Sequence, residues 1–256
     1  MKKFILWAWF CMALSISMLS QNLAFEKRIF TLNGDTLRYR ILFPEHYDAT
    51  QKYPLVLFLH GSGERGNDNE KQLTHGATLF TNTTNRTQFP SIVVFPQCPE
   101  NGSWVNITEE EDDSFILNKS KTPTEPMQLV IRLILSLRKT EAVDKKRMYV
   151  MGLSLGGMGT FDIVCRHPKL FAAAIPICGA AEMVQLKKVK HMAIRMYHGD
   201  ADKSVSVKYA QNAYIELKAI GAQKVQIIIF KGVGHNSWEH AFRYPDFLSW
   251  MYSKHL

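Results

Sequence analysis

Short apolar runs recur along the chain, and one of them is continuous and ends abruptly in polar residues and glycine. Leu55-Val56-Leu57-Phe58-Leu59 stops at His60-Gly61-Ser62-Gly63, and Ile92 to Phe95, Met148 to Gly152, Ala172 to Ile177, Ile194 to Tyr197 and Val225 to Phe230 are further short apolar runs. A strand with one wet face alternates apolar and polar residues, so continuous runs of this length call for strands covered on both faces. Stretches of helical period separate most of them. Leu129, Val130, Leu133, Ile134 and Leu137 share a face behind Thr124 as cap and Pro126 in the first turn. Ala210, Ala213, Tyr214, Leu217 and Ile220 do likewise, with Gly221 placed to end the helix. The alternation predicts an α/β fold with a mostly parallel central sheet and helices on both faces. Glu26 to Leu32 and Thr36 to Phe43, on either side of Asn33-Gly34-Asp35, add an N-terminal antiparallel hairpin.

A chain of 256 residues that is 46% hydrophobic can bury one continuous core. No linker-like run or repeat divides it, so residues 25–256 are read as a single domain. Residues 1–24 differ in kind: Lys2 and Lys3 precede an apolar run from Phe4 to about Leu19, with short and polar residues following to Ala24. That is a signal-peptide layout, and the run is short for a membrane span. The expectation is a secreted or periplasmic protein with no stable membrane insertion after the segment is removed. Removal takes the formal charge from +8 to +6, since Lys2 and Lys3 are the segment's only charges. The remaining Lys and Arg are scattered, apart from short groups such as Lys145 to Arg147 and Lys187 to Lys190, so no nucleic-acid partner is expected. Beyond Cys11, only Cys98, Cys165 and Cys178 remain, an odd count that leaves room for one disulfide, and no C-x-x-C spacing suggests structural zinc. Neither metal nor organic cofactor is expected, and no protein partner is predicted. Five N-x-S/T triplets, beginning at Asn82, Asn85, Asn101, Asn106 and Asn118, mark polar surface loops.

One apolar strand, Met148 to Met151, runs into Gly152-Leu153-Ser154-Leu155-Gly156-Gly157, and a helix-competent stretch follows to Arg166. A serine at such a strand-turn-helix junction stands exposed at the sheet edge, and the backbone N–H of Leu155 points where an oxyanion would form. The chemistry needs a base and an acid downstream, in the order serine, acid, histidine. His198-Gly199-Asp200-Ala201-Asp202, after a strand, offers two candidate acids, of which either could instead brace its loop. His235 follows the last strand through Lys231-Gly232-Val233-Gly234 and is the candidate base. His60 and His198 also end strands and read as loop-shaping residues. The Ser62 N–H, with Gly63 second, is the other candidate oxyanion donor.

Taken together, L-H-G-S-G-E-R-G from Leu59, P-Q-C-P from Pro96, G-L-S-L-G-G from Gly152, H-G-D-A-D-K-S-V from His198 and G-H-N-S-W from Gly234 resemble the α/β-hydrolase superfamily. The resemblance is to its phospholipase/carboxylesterase branch and to the related feruloyl and acetyl-xylan type esterases. It implies a triad of Ser154, Asp202 and His235, with an oxyanion hole from the N–H groups of Ser62 and Leu155. Lysophospholipase-like members often carry glutamine after the serine. Leu155 here leans away from the acyl-protein thioesterases and toward secreted polysaccharide esterases. The expected function is therefore hydrolysis of carboxylic esters, such as acyl or feruloyl esters of polysaccharides, through an acyl-enzyme on Ser154. The long connection from Pro96 to about Thr122 is placed to carry specificity, and Trp104 and Trp238 are candidate substrate-stacking residues. Two other readings stand beside this one: a prolyl-oligopeptidase-like serine peptidase, and a non-catalytic carbohydrate-binding protein on a hydrolase scaffold.

Overall fold

In the computed structural model, which describes residues 24–109, 115–117 and 120–256, the apolar runs become neighbouring strands of one eight-stranded sheet. The proposed signal segment, apart from Ala24, and Asn118 lie outside the described residues. Strands β1 (Glu26–Leu32) and β2 (Asp35–Leu42) form the hairpin, with Asn33 and Gly34 at φ 53° and 96°, as a tight turn requires. β3 (Tyr53–Leu59) and β4 (Ile92–Pro96) follow, and β5 (Ile107–Glu109) pairs with β6 (Phe115–Leu117) in a separate ribbon. β7 (Val143–Leu153), β8 (Ala173–Ile177), β9 (Ala193–Gly199) and β10 (Val225–Phe230) complete the set. The sheet order is β1-β2-β4-β3-β7-β8-β9-β10. It is antiparallel through β1, β2 and β4 and parallel from β4 onward.

Every residue of β3 is buried, because its two faces enter two different cores. Leu55, Leu57 and Leu59 join a cluster with α3 (Glu125–Thr140), α4 (Leu155–Arg166) and α5 (Val207–Ala219). Val56 and Phe58 join one with α1 (Ala77–Thr81), α6 (Trp238–Phe242) and α7 (Phe247–Tyr252), while α2 (Thr83–Gln88) follows α1 at the surface. Burying a leucine in such a core contributes roughly 1.5–3 kcal/mol. Thr124 caps α3 by accepting the Met127 N–H at 3.4 Å, with Pro126 in the first turn. Among the described residues no helix is long and apolar enough to cross a membrane. Cys98, Cys165 and Cys178 are all buried and free, so the disulfide that the sequence allowed is not formed.

β7 is longer than its apolar run suggests. Val143 already pairs with Tyr53, and a register shift then carries the ladder past Asp144 to Arg147 to the Leu55–Met148 pair. This central strand delivers the Gly152 to Ser154 turn to the carboxyl edge of the sheet, where a parallel sheet presents ligand sites.

Candidate active site

Ser154 joins β7 to α4 at φ 54°, ψ −120°, a conformation that non-glycine residues rarely adopt. Its backbone is pinned from both sides, since Ser154 N–H donates to Ile177 O at 2.9 Å and Met158 N–H to Ser154 O at 3.0 Å. The tight turn needs glycine beside it. A Cβ on Gly156 would collide with the Leu59 carbonyl oxygen and one on Gly152 with the Gly156 carbonyl, both backbone atoms that cannot swing aside. Gly156→Ala is therefore expected to lose about 3 kcal/mol or more of unfolding free energy. Gly63→Ala, with nothing within 4 Å of its added carbon, serves as the neutral control. Urea midpoints of the two variants check this, and a wild-type midpoint for Gly156→Ala would contradict it.

His235 comes off β10 with its Nε2 2.9 Å from Ser154 Oγ and its Nδ1 2.8 Å from Asp202 Oδ2. A carboxylate can only accept, so Nδ1 carries the proton and the Nε2 lone pair faces the serine hydroxyl. Asp202 is buried and fully engaged. Oδ1 accepts the N–H groups of Ser204 and Val205, each at 2.9 Å, and Oδ2 also lies 3.2 Å from His198 Nε2. Burial alone would raise its pKa, but the hydrogen bonds from His198, His235 and Val205 outweigh that and hold the carboxyl well below the usual carboxylate range. Asp200, the other acid the sequence offered, is exposed and accepts the Gly232 N–H at 2.6 Å. It braces the loop that carries His235 and does not touch the imidazole.

The sequence suggested a loop-shaping role for His198, and the structure adds a second: its Nε2 donates to Val205 O at 2.8 Å while bordering Asp202. This contact had a signal in H-G-D-A-D, whose first and last residues face each other across the turn. His60 does shape its loop. Its Nε2 accepts the Cys98 N–H at 2.9 Å and its Nδ1 donates to Gly61 O at 2.6 Å, which fixes a neutral tautomer. Burial pushes its pKa down to about 4, with the Gly61 bond opposing the shift and the Arg65 charge adding to it. An unfolded histidine titrates near 6.5, so the unfolded chain binds this proton first. The contribution to stability is full above pH 6.5 and falls by about 3 kcal/mol as the pH drops toward 4. Urea unfolding across that window measures the loss, and a flat profile would contradict it.

The loop after β3 begins with a 3-10 turn, Ser62–Glu64, that uses the N–H groups of Glu64 and Arg65 to reach the carbonyls of Gly61 and Ser62. The N–H groups of Ser62 and Gly63 open the turn, as that of Leu155 opens α4, so none has a carbonyl partner within its own helix. A buried polar network holds this loop. Arg40, 3% exposed, donates to the carbonyls of Phe25 and Asn69 and pairs with Glu70. Gln97 accepts the Asn69 N–H at 2.7 Å and donates to Asp68 at 2.7 Å. Arg65 reaches Ser62 O and, at 3.2 Å, Gly102 O. The L-H-G-S-G-E-R-G stretch ends at Gly66, and Asn67-Asp68-Asn69 beyond it, which carries much of this network, was not singled out in the sequence.

Trp104 is not a stacking platform. It is fully buried, its Nε1 donates to His60 O at 3.0 Å, and its Cβ lies where a side chain on Gly159 would go. Trp238 is half-buried and stands edge-on to the His235 ring, with centroids 5.6 Å apart, and its other neighbour is the His75 ring at 5.1 Å. Cys178, at φ 40°, lies behind the site with its Sγ within 4.8 Å of the reacting atoms of Asp202 and His235. Burial pushes this thiol up to about 12, so it stays protonated, while Asp202 and His235 already satisfy each other.

Residues 47–249 match a family model described as phospholipase/carboxylesterase. The chain belongs to that family. It is a serine hydrolase with the α/β-hydrolase fold. Among curated proteins it is similar to the carboxylesterase SOBER1 of Arabidopsis thaliana, at 24% identity over 77% of this chain and 88% of the relative. It is also similar to acyl-protein thioesterase 1 homolog 2 of Dictyostelium discoideum, at 25% identity over 72% and 86%. A solved thermostable esterase superposes with a TM-score of 0.84 and 31% identity, covering 92% of this chain, which spans 64% of that esterase's length. A ferulic acid esterase of Anaeromyces mucronatus, at 14% identity and TM-score 0.61 over 82% of this chain and 84% of that one, shares the fold.

Proposed function

We propose that this family member is a secreted carboxylic-ester hydrolase that works through an acyl-enzyme on Ser154. The single observation that carries the proposal is the continuous hydrogen-bonded chain from Ser154 Oγ through His235 to Asp202. His235 Nε2 takes the hydroxyl proton as Oγ attacks the ester carbonyl, and Asp202 stabilises the imidazolium without itself taking the proton. The N–H groups of Leu155 and Ser62 receive the oxyanion, at the start of α4 and of the loop after β3. The imidazolium then returns its proton to the leaving alcohol. Water, deprotonated by the same imidazole, releases the acid in the second half.

Esters of polysaccharides, acyl or feruloyl, are the proposed substrates. Ser154 and His235 are only partly buried, which suits a polymer that cannot enter a deep tunnel. The Leu155 position after the nucleophile and the N-terminal signal layout support the same reading. With a p-nitrophenyl ester, the expected result is a burst of about one p-nitrophenol per active site followed by slower turnover, abolished in His235→Ala. Linear release from the wild type with no burst, at every pH, would argue against rate-limiting deacylation. A panel of feruloyl, acetyl-sugar, aryl and glycerophospholipid esters, with dipeptide anilides as the contrast, ranks the substrate classes. Preference for the anilides would overturn the ester assignment.

A further inference from the structure

Glu64 has no part in the steps above, yet it lies across Gly61 from the nucleophile. A Cβ built on Gly61 would meet Glu64 Oε2 at 3.1 Å and Ser154 Cβ at 3.6 Å, so the carboxylate and the serine flank the same glycine. Its side chain is only 12% exposed, and among the described residues its ion-pair partner is His75, with Nε2 3.6 Å from Oε1. Among the described residues no lysine or arginine forms an ion pair with it, and the adjacent Arg65 points its guanidinium at the carbonyls of Ser62 and Gly102. The wall then continues around the site from Glu64 to His75, from His75 to Trp238 and from Trp238 to His235. The residue is held in place by its backbone, since its N–H donates to Gly61 O and its carbonyl accepts from Gln97.

We propose that Glu64 is a specificity-determining residue that sets the charge tolerated beside the scissile ester, admitting neutral or cationic esters and excluding anionic ones. This rests on Ser154 being the nucleophile. The reaction builds a negative oxyanion next to Ser62, two residues from Glu64 in sequence. A substrate that brings a further negative group into the same partly buried space meets a carboxylate that is not offset by a fixed cation. Repulsion at such range in a low-dielectric rim is strong enough to discriminate by about tenfold or more. Neutral, hydroxyl-bearing esters meet no such barrier and can donate hydrogen bonds to the carboxylate.

Two matched series of small esters test this, one with the charge on the acyl chain and one with it on the alcohol, each offering a neutral, an anionic and a quaternary ammonium member. For the wild type, kcat/KM for the anionic member is expected to be at least about tenfold below the cationic one in one or both series. The near-isosteric Glu64→Gln variant should collapse that ratio toward unity. An unchanged ratio in Glu64→Gln, or no charge discrimination by the wild type, overturns the assignment. A fluorophosphonate label mapped in the same preparations separates the two readings. Label on Ser154 with an unchanged ratio removes only the role of Glu64, whereas wild-type label elsewhere removes the nucleophile on which it rests.

Discussion

Ser154→Ala is expected to lower kcat by roughly 10⁶-fold, with KM changed little. The hydroxyl that attacks is gone, while the groups that bind substrate and receive the oxyanion remain. A residual rate above that of water, about 10³-fold, should therefore survive, supplied by the oxyanion donors. The strained backbone makes a second, independent reading of the same position possible. Ser154 sits at φ 54°, ψ −120°, where a Cβ is costly and glycine is not. Ser154→Gly should thus be as inactive as the alanine variant yet unfold with about 1 kcal/mol more free energy than the wild type. Thermal or urea unfolding compares the three proteins. A glycine variant less stable than alanine would mean that the turn is not under strain.

Asp202→Asn carries the next largest effect, an expected loss of about 10³- to 10⁴-fold in kcat. The amide can still accept from one side, but it also presents N–H groups toward His235 Nδ1, which favours the wrong tautomer and cannot stabilise an imidazolium. Asp200→Asn should cost less than about tenfold, because an amide oxygen can still accept the Gly232 N–H that the carboxylate holds now. Kinetics of the two variants on one ester decide the matter. If Asp200→Asn proved the more damaging, the roles of the two aspartates would be exchanged. The depressed pKa of Asp202 also has a stability consequence with a definite sign. Its contribution is present above the unfolded carboxyl pKa of about 3.9 and is lost as the pH falls further, below the window in which His60 acts.

Strands were the most legible part of this fold, because a residue covered on both faces must be apolar. The runs at Leu55, Ile92, Ala172 and Ile194 mark buried strands to within two residues, and the run at Val225 marks β10, although that edge strand is covered less and leaves Gln226 and Ile229 exposed. β7 was less legible at its start, where Asp144 to Arg147 are polar and the ladder shifts register. The short helices α1, α2, α6 and α7 and the β5–β6 ribbon had no such signature. Their lengths give too few turns or rungs for a period to show, and packing on the sheet is what forms them. In the site, the order of glycine-flanked serine, acid and histidine pointed to Ser154 and His235, the family resemblance implied Asp202 rather than Asp200, and the fold brings the three side chains together.

What the sequence could not resolve were contacts that depend on direction. Trp104 and Trp238 look alike in sequence, each near a glycine or a polar loop. One points inward under His60 and the other stands at the rim against His235. Asp200 and Asp202 are two residues apart on one turn, and spacing alone does not say which faces the imidazole; the family resemblance implied Asp202, and the fold places it there. Arg40 reads as an ordinary charge in the N-terminal hairpin, yet it is buried and holds the Phe25 carbonyl together with two groups, Asn69 O and Glu70, of the loop that follows Ser62.

The central claim is that Ser154 Oγ is the attacking atom, and peptide mapping after reaction with a fluorophosphonate tests it most directly. The expected result is one phosphonyl group per chain, on the peptide containing Ser154, with labelling strongly slowed in His235→Ala. Label carried instead by Ser62 or by any other residue, or full turnover in a wild-type protein whose Ser154 remains unmodified, would contradict the account.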